Sequence, residues 1–529
     1  MTRPWLRRLG FAVGAILLGA VSWLHCAGRI NLVTADLGRH LSNGRLFLSD
    51  GRILSTNYYS FTWSDFPAVC HHWGFGVLAA AVWKAGGFSG LSLAYTSLLL
   101  ATFLLALWTA RRVASTGAVV LAGLLALPLI GSRIEIRPEG ISTLFLMLEY
   151  FLFQEWRAGR LDRRWLWSIV VIQLAWVNLH ILFFTGLLLG VIYLIAATAA
   201  ERKRLLPVMA GALLVSLLNP FTLKGLTEPL TIFQGYGYDL AENQSVFFMM
   251  KRFPGTPLYG YFLFIFLTGC LLLVGWMVRE RSWRKALPQV LAWALFGLMA
   301  LKAVRAAAMA GFVFIPVAAE SLAVLAAGAW LFRRVVTAGA LVLLVLAALV
   351  PAVIWSPMKK FAPLIAEERN RQSLFYVLAR PALWSGLMPG VERSAAFFHS
   401  SGLKGPVFNN YDMGGYFIYY LFPRERPFVD NRPEGYPVDF LRNTYITMQS
   451  EEPAWQAAQK KYAFEVIYFY RQDITPWAQP FLLRRLDDQA WAPVFVDDYM
   501  IIMARRGGVN AGVIGRYELP RAMFRSVTH

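Results

Sequence analysis

An aspartate that follows the first long apolar segment is the strongest candidate for chemistry in this sequence. Residues 9–28 are apolar and are preceded by three arginines, and Asp36 lies in the stretch Ala35-Asp36-Leu37-Gly38-Arg39-His40-Leu41. Because positive charges mark the cytoplasmic ends of membrane helices, we expect the N-terminus in the cytoplasm and Asp36 at the opposite face. A carboxylate is costly there, which makes Asp36 a candidate general base or metal ligand. A helix cap is the simpler interpretation and stays open.

Other polar residues return to the same face. Arg39 and His40 follow Asp36 closely, and His71-His72-Trp73 ends the loop that Asp36 begins. His71 and His72 are candidates to line the site, to donate hydrogen bonds or to bind a metal. A polar and aromatic anchor at the membrane interface explains them equally well.

A short charged segment joins two apolar stretches on the outer side. It reads Arg133-Ile134-Glu135-Ile136-Arg137-Pro138-Glu139. Pro138 is typical of a helix start, so we expect Glu139 in the first turn. Arginines at the outer face oppose the usual charge bias, and binding a phosphate would account for Arg133 and Arg137. Pairing with nearby carboxylates is the alternative.

Two further outer turns contain candidate binding residues. Asn178 and His180 could contact a sugar or only cap two helices. Lys302 and Arg305 could hold a lipid phosphate or extend to the membrane surface without a ligand.

The composition is that of a membrane protein. Hydrophobic residues make up 57% of the chain and charged residues 16%, against about 25% charged in soluble domains. The net charge of +20 lies largely in short clusters at helix ends, as membrane topology requires, and no nucleic-acid-binding motif is present. We therefore predict an all-α polytopic membrane protein that binds no nucleic acid.

The charge clusters and apolar stretches predict about eleven transmembrane helices and an outer C-terminus. The predicted spans are residues 9–28, 91–110, 114–132, 140–156, 165–179, 181–199, 205–219, 258–278, 286–301, 306–330 and 335–355. Residues 73–88 are apolar but short, and positive-inside parity makes them re-entrant or interfacial.

The remaining sequence predicts two outer features. The large first loop, residues 29–73, has a pattern typical of short amphipathic helices lying on the membrane. Residues 1–355 form the transmembrane domain, and residues 356–529 form a small α/β outer domain with four strands. In it, Asp412-Met413-Gly414-Gly415 and Asp430-Asn431-Arg432-Pro433 are candidate sugar or metal contacts, or ordinary turns. A disulfide between Cys26 and Cys70 is permitted if the outer face is oxidising.

Asp36-Leu37-Gly38-Arg39-His40-Leu41, His71-His72-Trp73 and Arg137-Pro138-Glu139 together resemble the GT-C superfamily of polytopic glycosyltransferases. Asn178-Leu179-His180 and Asn219-Pro220-Phe221 also fit a bacterial branch of these proteins. The resemblance covers residues 1–355 and, more loosely, the tail. Members related to the protein mannosyltransferases and the lipid A aminoarabinose transferase use polyprenyl-phosphate-linked sugars.

The resemblance implies a glycosyltransferase in the bacterial inner membrane, with the C-terminal domain outside. Asp36 would deprotonate the acceptor hydroxyl of a glycan, lipid or protein. Arg133, Arg137, Lys302 or Arg305 would stabilise the phosphate leaving group. Family members often have a paired acidic motif in the first loop, and Asp36 has no acidic residue two positions away. A divalent metal, Mg²⁺ or Mn²⁺, is therefore an open question.

Two other classes of protein fit parts of the pattern. A transporter or flippase of lipid-linked sugars would also collect charge at one face, but it should have polar residues at mid-membrane, and the predicted spans have few. A non-catalytic scaffold for envelope glycan assembly would not need Arg133 and Arg137 at the outer face.

Overall fold

The protein is largely helical. The computed structural model describes residues 4–231, 236–280, 283–358 and 385–524. Short 3₁₀ turns connect several helices, among them Arg163–Trp167, Ile181–Phe183, Ala241–Asn243 and Val304–Ala306. The α-helices that precede the C-terminal part are α1 Pro4–Cys26, α2 Leu37–Asp50, α3 Trp73–Arg111, α4 Thr116–Gly131, α5 Glu139–Arg157, α6 Ser168–Leu179, α7 Phe184–Ala196, α8 Ala199–Val215, α9 Thr222–Thr231, α10 Val246–Arg252, α11 Pro257–Glu280, α12 Trp283–Lys302, α13 Ala307–Leu325 and α14 Trp330–Met358.

Each of the eleven predicted spans overlaps one of these helices. Within the described residues, four helical segments are long and apolar enough by themselves to cross a membrane: Trp73–Arg111, Pro257–Glu280, Val304–Leu325 and Trp330–Ala347. Ala12–Cys26, Thr116–Gly131 and Ile181–Ala196 are apolar but shorter. The fold is thus that of a helical membrane protein. That the chain crosses the membrane eleven times stays a prediction.

Helix α3 is bent where the sequence has a glycine with positive φ. Gly87 adopts φ 59° and ψ −156°, a backbone conformation that residues with a Cβ atom rarely adopt. The bend separates an arm at 73–86 from an arm at 88–111. Since a bilayer core is about 30 Å thick and a helix rises 1.5 Å per residue, the second arm is long enough to cross alone. The re-entrant or interfacial position of residues 73–88 stays a prediction.

Helix α2 is the amphipathic helix predicted in the first outer loop. Its N-terminal half is buried, and it contacts α3 through two glycines. A Cβ on Gly44 would lie 2.0 Å from the carbonyl oxygen of Gly76, so the two backbones pass too closely for a side chain. Protein, rather than the membrane surface, therefore covers the first turns of α2.

The C-terminal part is built on a four-stranded sheet, as predicted. Its strands are β1 Val407–Asn409, β2 Val466–Tyr470, β3 Trp491–Val496 and β4 Met500–Arg505, in the order β1-β2-β4-β3. β1 pairs parallel with β2, and the other pairs are antiparallel. The helices around the sheet are Arg393–Ser401, Gly414–Leu421, Thr447–Ser450, Glu452–Tyr462, Ala478–Asp487 and Ala511–Tyr517, with a π-helical turn at Phe440–Ile446.

Both faces of this sheet are covered. Ile467 and Phe469 of β2 pack into one apolar cluster, whereas Val466 and Tyr468 pack into another that continues into the membrane helices. Alternate residues of a strand point to opposite faces, so β2 is apolar on both. The sheet is therefore joined to the helical bundle through its own core.

The helices bury more polar groups than the sequence analysis expected. Gln289 of α12 donates to Glu320 of α13 at 2.7 Å. Glu149 of α5 is fully buried, and neither of its carboxylate oxygens has a hydrogen-bond partner. The expectation that the spans are nearly free of polar groups is therefore wrong, because these side chains face neighbouring helices.

All three cysteines are free, so the permitted Cys26–Cys70 disulfide is not formed. The side-chain amide nitrogen of Asn43 instead donates to the Cys70 sulfur at 3.5 Å, and the amide oxygen of Asn43 accepts a hydrogen bond from the Tyr59 hydroxyl at 2.8 Å. These contacts place Cys70 against α2, inside the first loop.

Candidate functional site

Asp36 occupies the cap position of α2 without capping it. Its side chain makes no hydrogen bond to the first turn of the helix. Oδ1 instead accepts a hydrogen bond from Asn431 Nδ2 at 2.5 Å, and Oδ2 lies 3.5 Å from Arg137 Nη1. Arg39 Nη2 is 3.9 Å from Oδ1. With 22% of the side chain exposed, the carboxylate is held in place and remains accessible.

Three arginines from two turns between helices converge beside Asp36. Arg133 and Arg137 both donate to Glu242 Oε2, at 3.0 and 2.9 Å. Arg305 Nη1 lies 3.4 Å from Glu242 Oε1, and its Nη2 donates to Glu139 Oε1 at 2.7 Å. Arg137 therefore joins Asp36 to a cluster of arginines and glutamates, which we call the arginine cluster.

The arginine cluster bears on alternatives that the sequence left open. Arg133 and Arg137 were candidates to bind a phosphate or to pair with nearby carboxylates, and Arg305 to hold a lipid phosphate or to extend to the membrane surface. In the structure each of the three is paired with a carboxylate. The structure thus contains the ion pairs, and it also brings together the three cations that the anion-binding interpretation needs. The three cations lie together, and acidic side chains of the chain itself neutralise them.

Glu242 is the member of the arginine cluster that the sequence analysis missed. It lies on the 3₁₀ turn Ala241–Asn243 in the loop between α9 and α10. No motif marks it, and Arg137 is 105 residues earlier in the chain. A single acidic residue in a long outer loop gives no signal that could have identified it.

Burial and charge shift the ionisation of these carboxylates in opposite directions. Burial raises the pKa of Asp36 above its usual value, and the nearby Arg137 and Arg39 offset this only in part. Burial also opposes ionisation of Glu242, but Arg137, Arg305 and Arg133 together outweigh it and lower its pKa. Glu242 is thus a firmly ionised partner, while Asp36 is the stronger base.

The C-terminal part supplies the group that holds Asp36. Asn431 lies in one of the two outer segments singled out from the sequence, and the neighbouring Asp430 and Arg432 form a buried ion pair at 2.7 Å. Arg432 also donates to Asn57 of the first loop. These contacts fix the turn that presents the Asn431 amide to Asp36.

Glycines allow the C-terminal part to approach α2 closely. A Cβ on Gly38 would lie 2.3 Å from the carbonyl oxygen of Gly415, and one on Gly415 would lie 2.7 Å from the carbonyl oxygen of Ala35. The Gly414–Gly415 pair, a candidate contact from the sequence, therefore has a packing role. It brings two backbones together directly beside Asp36.

Four histidines lie next to the arginine cluster. The rings of His71 and His72 are 3.9 Å apart, and His72 lies 5.2 Å from His40 and 5.3 Å from His180. Burial lowers the pKa of His71 to about 3 and that of His180 to about 4, so both rings are neutral at neutral pH. Within the described part of the chain, neither ring nitrogen of His71 has a hydrogen-bond partner, and Nδ1 of His40 also lacks one. Neutral imidazoles can orient hydroxyl groups there.

The remaining predicted residues have separate positions. Asn178 donates to the carbonyl oxygens of Leu174 and Leu218, which favours the structural interpretation of its side chain. Lys302 is exposed at the end of α12, shortly before Arg305. It is therefore an exposed cation three residues before Arg305 in the chain.

The donor groups around Asp36 do not suit a metal ion. Across the residues that the structure describes, no three His, Cys, Asp or Glu side chains are arranged to hold one. Both oxygens of Asp36 already face nitrogen donors, and the nearby Arg137 and Arg39 repel a divalent cation. No step of the chemistry is therefore assigned to a metal.

The fold is similar to that of solved membrane transferases. The archaeal oligosaccharyltransferase AglB from Archaeoglobus fulgidus, in complex with an inhibitory peptide and a dolichol-phosphate, aligns over 92% of this chain and 74% of its own, with 13% identity and a TM-score of 0.55. ArnT from Cupriavidus metallidurans, bound to undecaprenyl phosphate, aligns over 96% of this chain and 99% of its own, with 14% identity and a TM-score of 0.52.

A second structure of the Archaeoglobus fulgidus oligosaccharyltransferase, in complex with Zn and sulfate, aligns over 92% of this chain and 73% of its own, with 13% identity and a TM-score of 0.52. No protein-family model and no curated protein sequence matches the chain. These solved structures are GT-C proteins, so the predicted GT-C resemblance is confirmed as a fold. At such low identity the likeness establishes the fold alone.

Proposed function

We propose that this protein is a membrane glycosyltransferase. It would move a sugar from a polyprenyl-phosphate donor to an acceptor at the outer face of the inner membrane. The observation that carries this proposal is the Asp36 carboxylate, which caps no helix and is accessible between Asn431 and Arg137. The GT-C fold, found in solved complexes with dolichol-phosphate and undecaprenyl phosphate, supports the donor class.

The chemistry assigned to Asp36 is general base catalysis. The carboxylate removes the proton from an acceptor hydroxyl, and the oxygen attacks the anomeric carbon of the donor sugar. The bond from that carbon to the phosphate oxygen breaks, the configuration inverts, and polyprenyl phosphate leaves with the electron pair. Burial raises the pKa of Asp36, which makes it a stronger base than an exposed aspartate.

Asn431 is the positioning residue for this base. Its amide donates to Oδ1 of Asp36 and so leaves Oδ2 as the atom that faces Arg137 and the site. A hydrogen bond to a charged group contributes about 1.5–3 kcal/mol. The base is therefore oriented only when the C-terminal part is docked on α2.

Cations beside Asp36 would stabilise the leaving phosphate. Negative charge develops on the phosphate oxygen as the bond breaks, and fixed guanidinium groups lower the energy of that charge. Arg133, Arg137 and Arg305 lie beside Asp36, where the charge would form, and Lys302 is an exposed cation three residues before Arg305. The acceptor class, whether glycan, lipid or protein, stays open.

A transporter of lipid-linked sugars is the second candidate. The buried Glu149 and the Gln289–Glu320 pair favour it, since transporters place polar groups inside the bundle. The catalytic geometry of Asp36 at the outer end is not needed for transport. The two functions differ in whether the sugar leaves its lipid.

The substitution Asp36→Asn tests the proposal most simply. It keeps the size of the side chain and removes its basicity, so transfer of radiolabelled sugar from polyprenyl phosphate to the acceptor in native membranes should fall about 100-fold or more. The matched control is Asp50→Asn, at the other end of α2, where the exposed carboxylate pairs with the exposed Arg52 and accepts a hydrogen bond from Ser49. Normal transfer by a folded Asp36→Asn variant would remove Asp36 from catalysis.

A further inference from the structure

The arginine cluster is balanced in charge without any ligand. Three guanidinium groups, those of Arg133, Arg137 and Arg305, face three carboxylates, those of Asp36, Glu139 and Glu242. These are the residues that would hold the phosphate of the donor in the proposed function. Adding a phosphate to the cluster as it stands would leave uncompensated negative charge in a partly buried site. One of the carboxylates must therefore leave when a phosphate enters.

Glu242 binds the cations as a phosphate would. Both of its oxygens are used, and it contacts all three arginines at 2.9 to 3.4 Å. A phosphate presents several oxygens to a group of arginines in the same way. Of the three carboxylates, only that of Glu242 touches every arginine of the cluster.

The other two carboxylates are held by regular structure. Asp36 is fixed by Asn431, and Glu139 lies in the first turn of the long helix α5. Glu242 lies on a single 3₁₀ turn in the loop between α9 and α10, outside any long helix or strand. Its neighbours Asn243 and Gln244 accept hydrogen bonds from Arg305 and from the backbone amide of Val304, respectively. Glu242 is therefore the carboxylate that can leave with least disruption.

We infer that Glu242 takes the place of the donor phosphate when no donor is bound, and that the phosphate displaces it. This inference rests on the proposed function and assigns the regulation of its donor site. Without Glu242 the three partly buried arginines would carry uncompensated positive charge and repel one another, and Glu242 prevents this. The exchange keeps the charge of the site nearly constant. It also couples donor binding to the position of the loop between α9 and α10.

Direct binding of undecaprenyl phosphate to the purified protein tests this inference. Glu242→Gln removes the competing charge and keeps the side-chain size, so the dissociation constant should fall about tenfold relative to wild type. Glu135→Gln is the matched control, since Glu135 also pairs with Arg137 at 3.0 Å but is 52% exposed and, among the residues that the structure describes, pairs with no other arginine. Its dissociation constant should stay within about twofold of wild type. The folded state of each variant is checked by its melting temperature.

The outcomes separate the inference from the proposed function. If Glu242→Gln binds undecaprenyl phosphate more weakly than wild type, Glu242 organises the arginines instead of competing with phosphate, and the inference is overturned. Inorganic phosphate serves as the second ligand. If Glu242→Gln binds inorganic phosphate more tightly than wild type and no variant binds undecaprenyl phosphate, the displacement of Glu242 by phosphate stands. The proposal of a polyprenyl-phosphate donor is then wrong. If no variant binds either ligand, both proposals fail.

Discussion

At the scale of single residues, the site depends on where one carboxylate points. Asp36 has the position of a helix cap, yet its oxygens face Asn431 and Arg137 rather than the backbone of α2. A cap and a base have the same sequence signature, because both place an aspartate just before a helix. The contacts of the side chain distinguish them and favour the base.

The pH dependence of transfer should reveal the Asn431 contact. The hydrogen bond from Asn431 favours the ionised form of Asp36, so Asn431→Ala should raise the pKa of Asp36 further. Transfer needs ionised Asp36 and is lost as the pH falls through that pKa. The acid limb of the rate profile should therefore move to higher pH, with the maximal rate reduced about tenfold. The other charged groups around Asp36, namely Arg39, Arg137, Glu139 and Glu242, are unchanged in this variant.

The control for this profile is Asn443→Ala. Asn443 makes the same kind of hydrogen bond, to Asp439 at 2.5 Å, on an exposed surface of the C-terminal part. Its profile should match wild type. A profile that does not move in Asn431→Ala would show that Asn431 has only a packing role.

Several residues of the site could be predicted and others could not. Arg137 and Glu139 stand out because charges at the outer end of two apolar segments contradict the usual bias. Asn431 is 395 residues from Asp36, and its contact depends on how the C-terminal part docks. Glu242 lies in a loop whose path no local pattern determines. A sequence shows which charged residues lie close together along the chain. Contacts between residues that are hundreds of positions apart can be identified only from the folded structure.

At the scale of elements, α2 is the part that brings the site together. It carries Asp36 at its N-terminus, and it packs between α3 and the Gly414–Leu421 helix. Its helical character was predictable from its apolar pattern. Its burial was not, since the same pattern also fits a helix on the membrane surface.

The contact between α2 and α3 gives a stability prediction. Gly44→Ala would place a Cβ 2.0 Å from the carbonyl oxygen of Gly76, so α2 must move away from α3. We expect a loss of about 1–3 kcal/mol, seen as a lower melting temperature of the purified protein. Gly260→Ala, in α11, has no atom within 4 Å of the added Cβ and should be neutral or slightly stabilising. An unchanged melting temperature for Gly44→Ala would contradict the close contact.

At the scale of the whole molecule, the helical bundle and the C-terminal part form one site. The bundle supplies the cations, and the first loop supplies Asp36, the proposed base. The sheet domain supplies Asn431, and its core is continuous with that of the bundle. Apolar segments and their flanking charges were sufficient to predict the bundle. The strands of the tail could also be placed, but not the surface that docks on α2.

The fate of the sugar tests the central claim most directly. Purified protein is reconstituted in liposomes with a doubly labelled donor, one label on the sugar and one on the polyprenyl chain, together with membrane extract as a source of acceptor. The account predicts that wild-type protein separates the two labels, leaving polyprenyl phosphate in the lipid fraction, and that Asp36→Asn does so about 100-fold more slowly. If the labels stay together while the donor moves to the opposite leaflet, the protein is a transporter and the account is wrong.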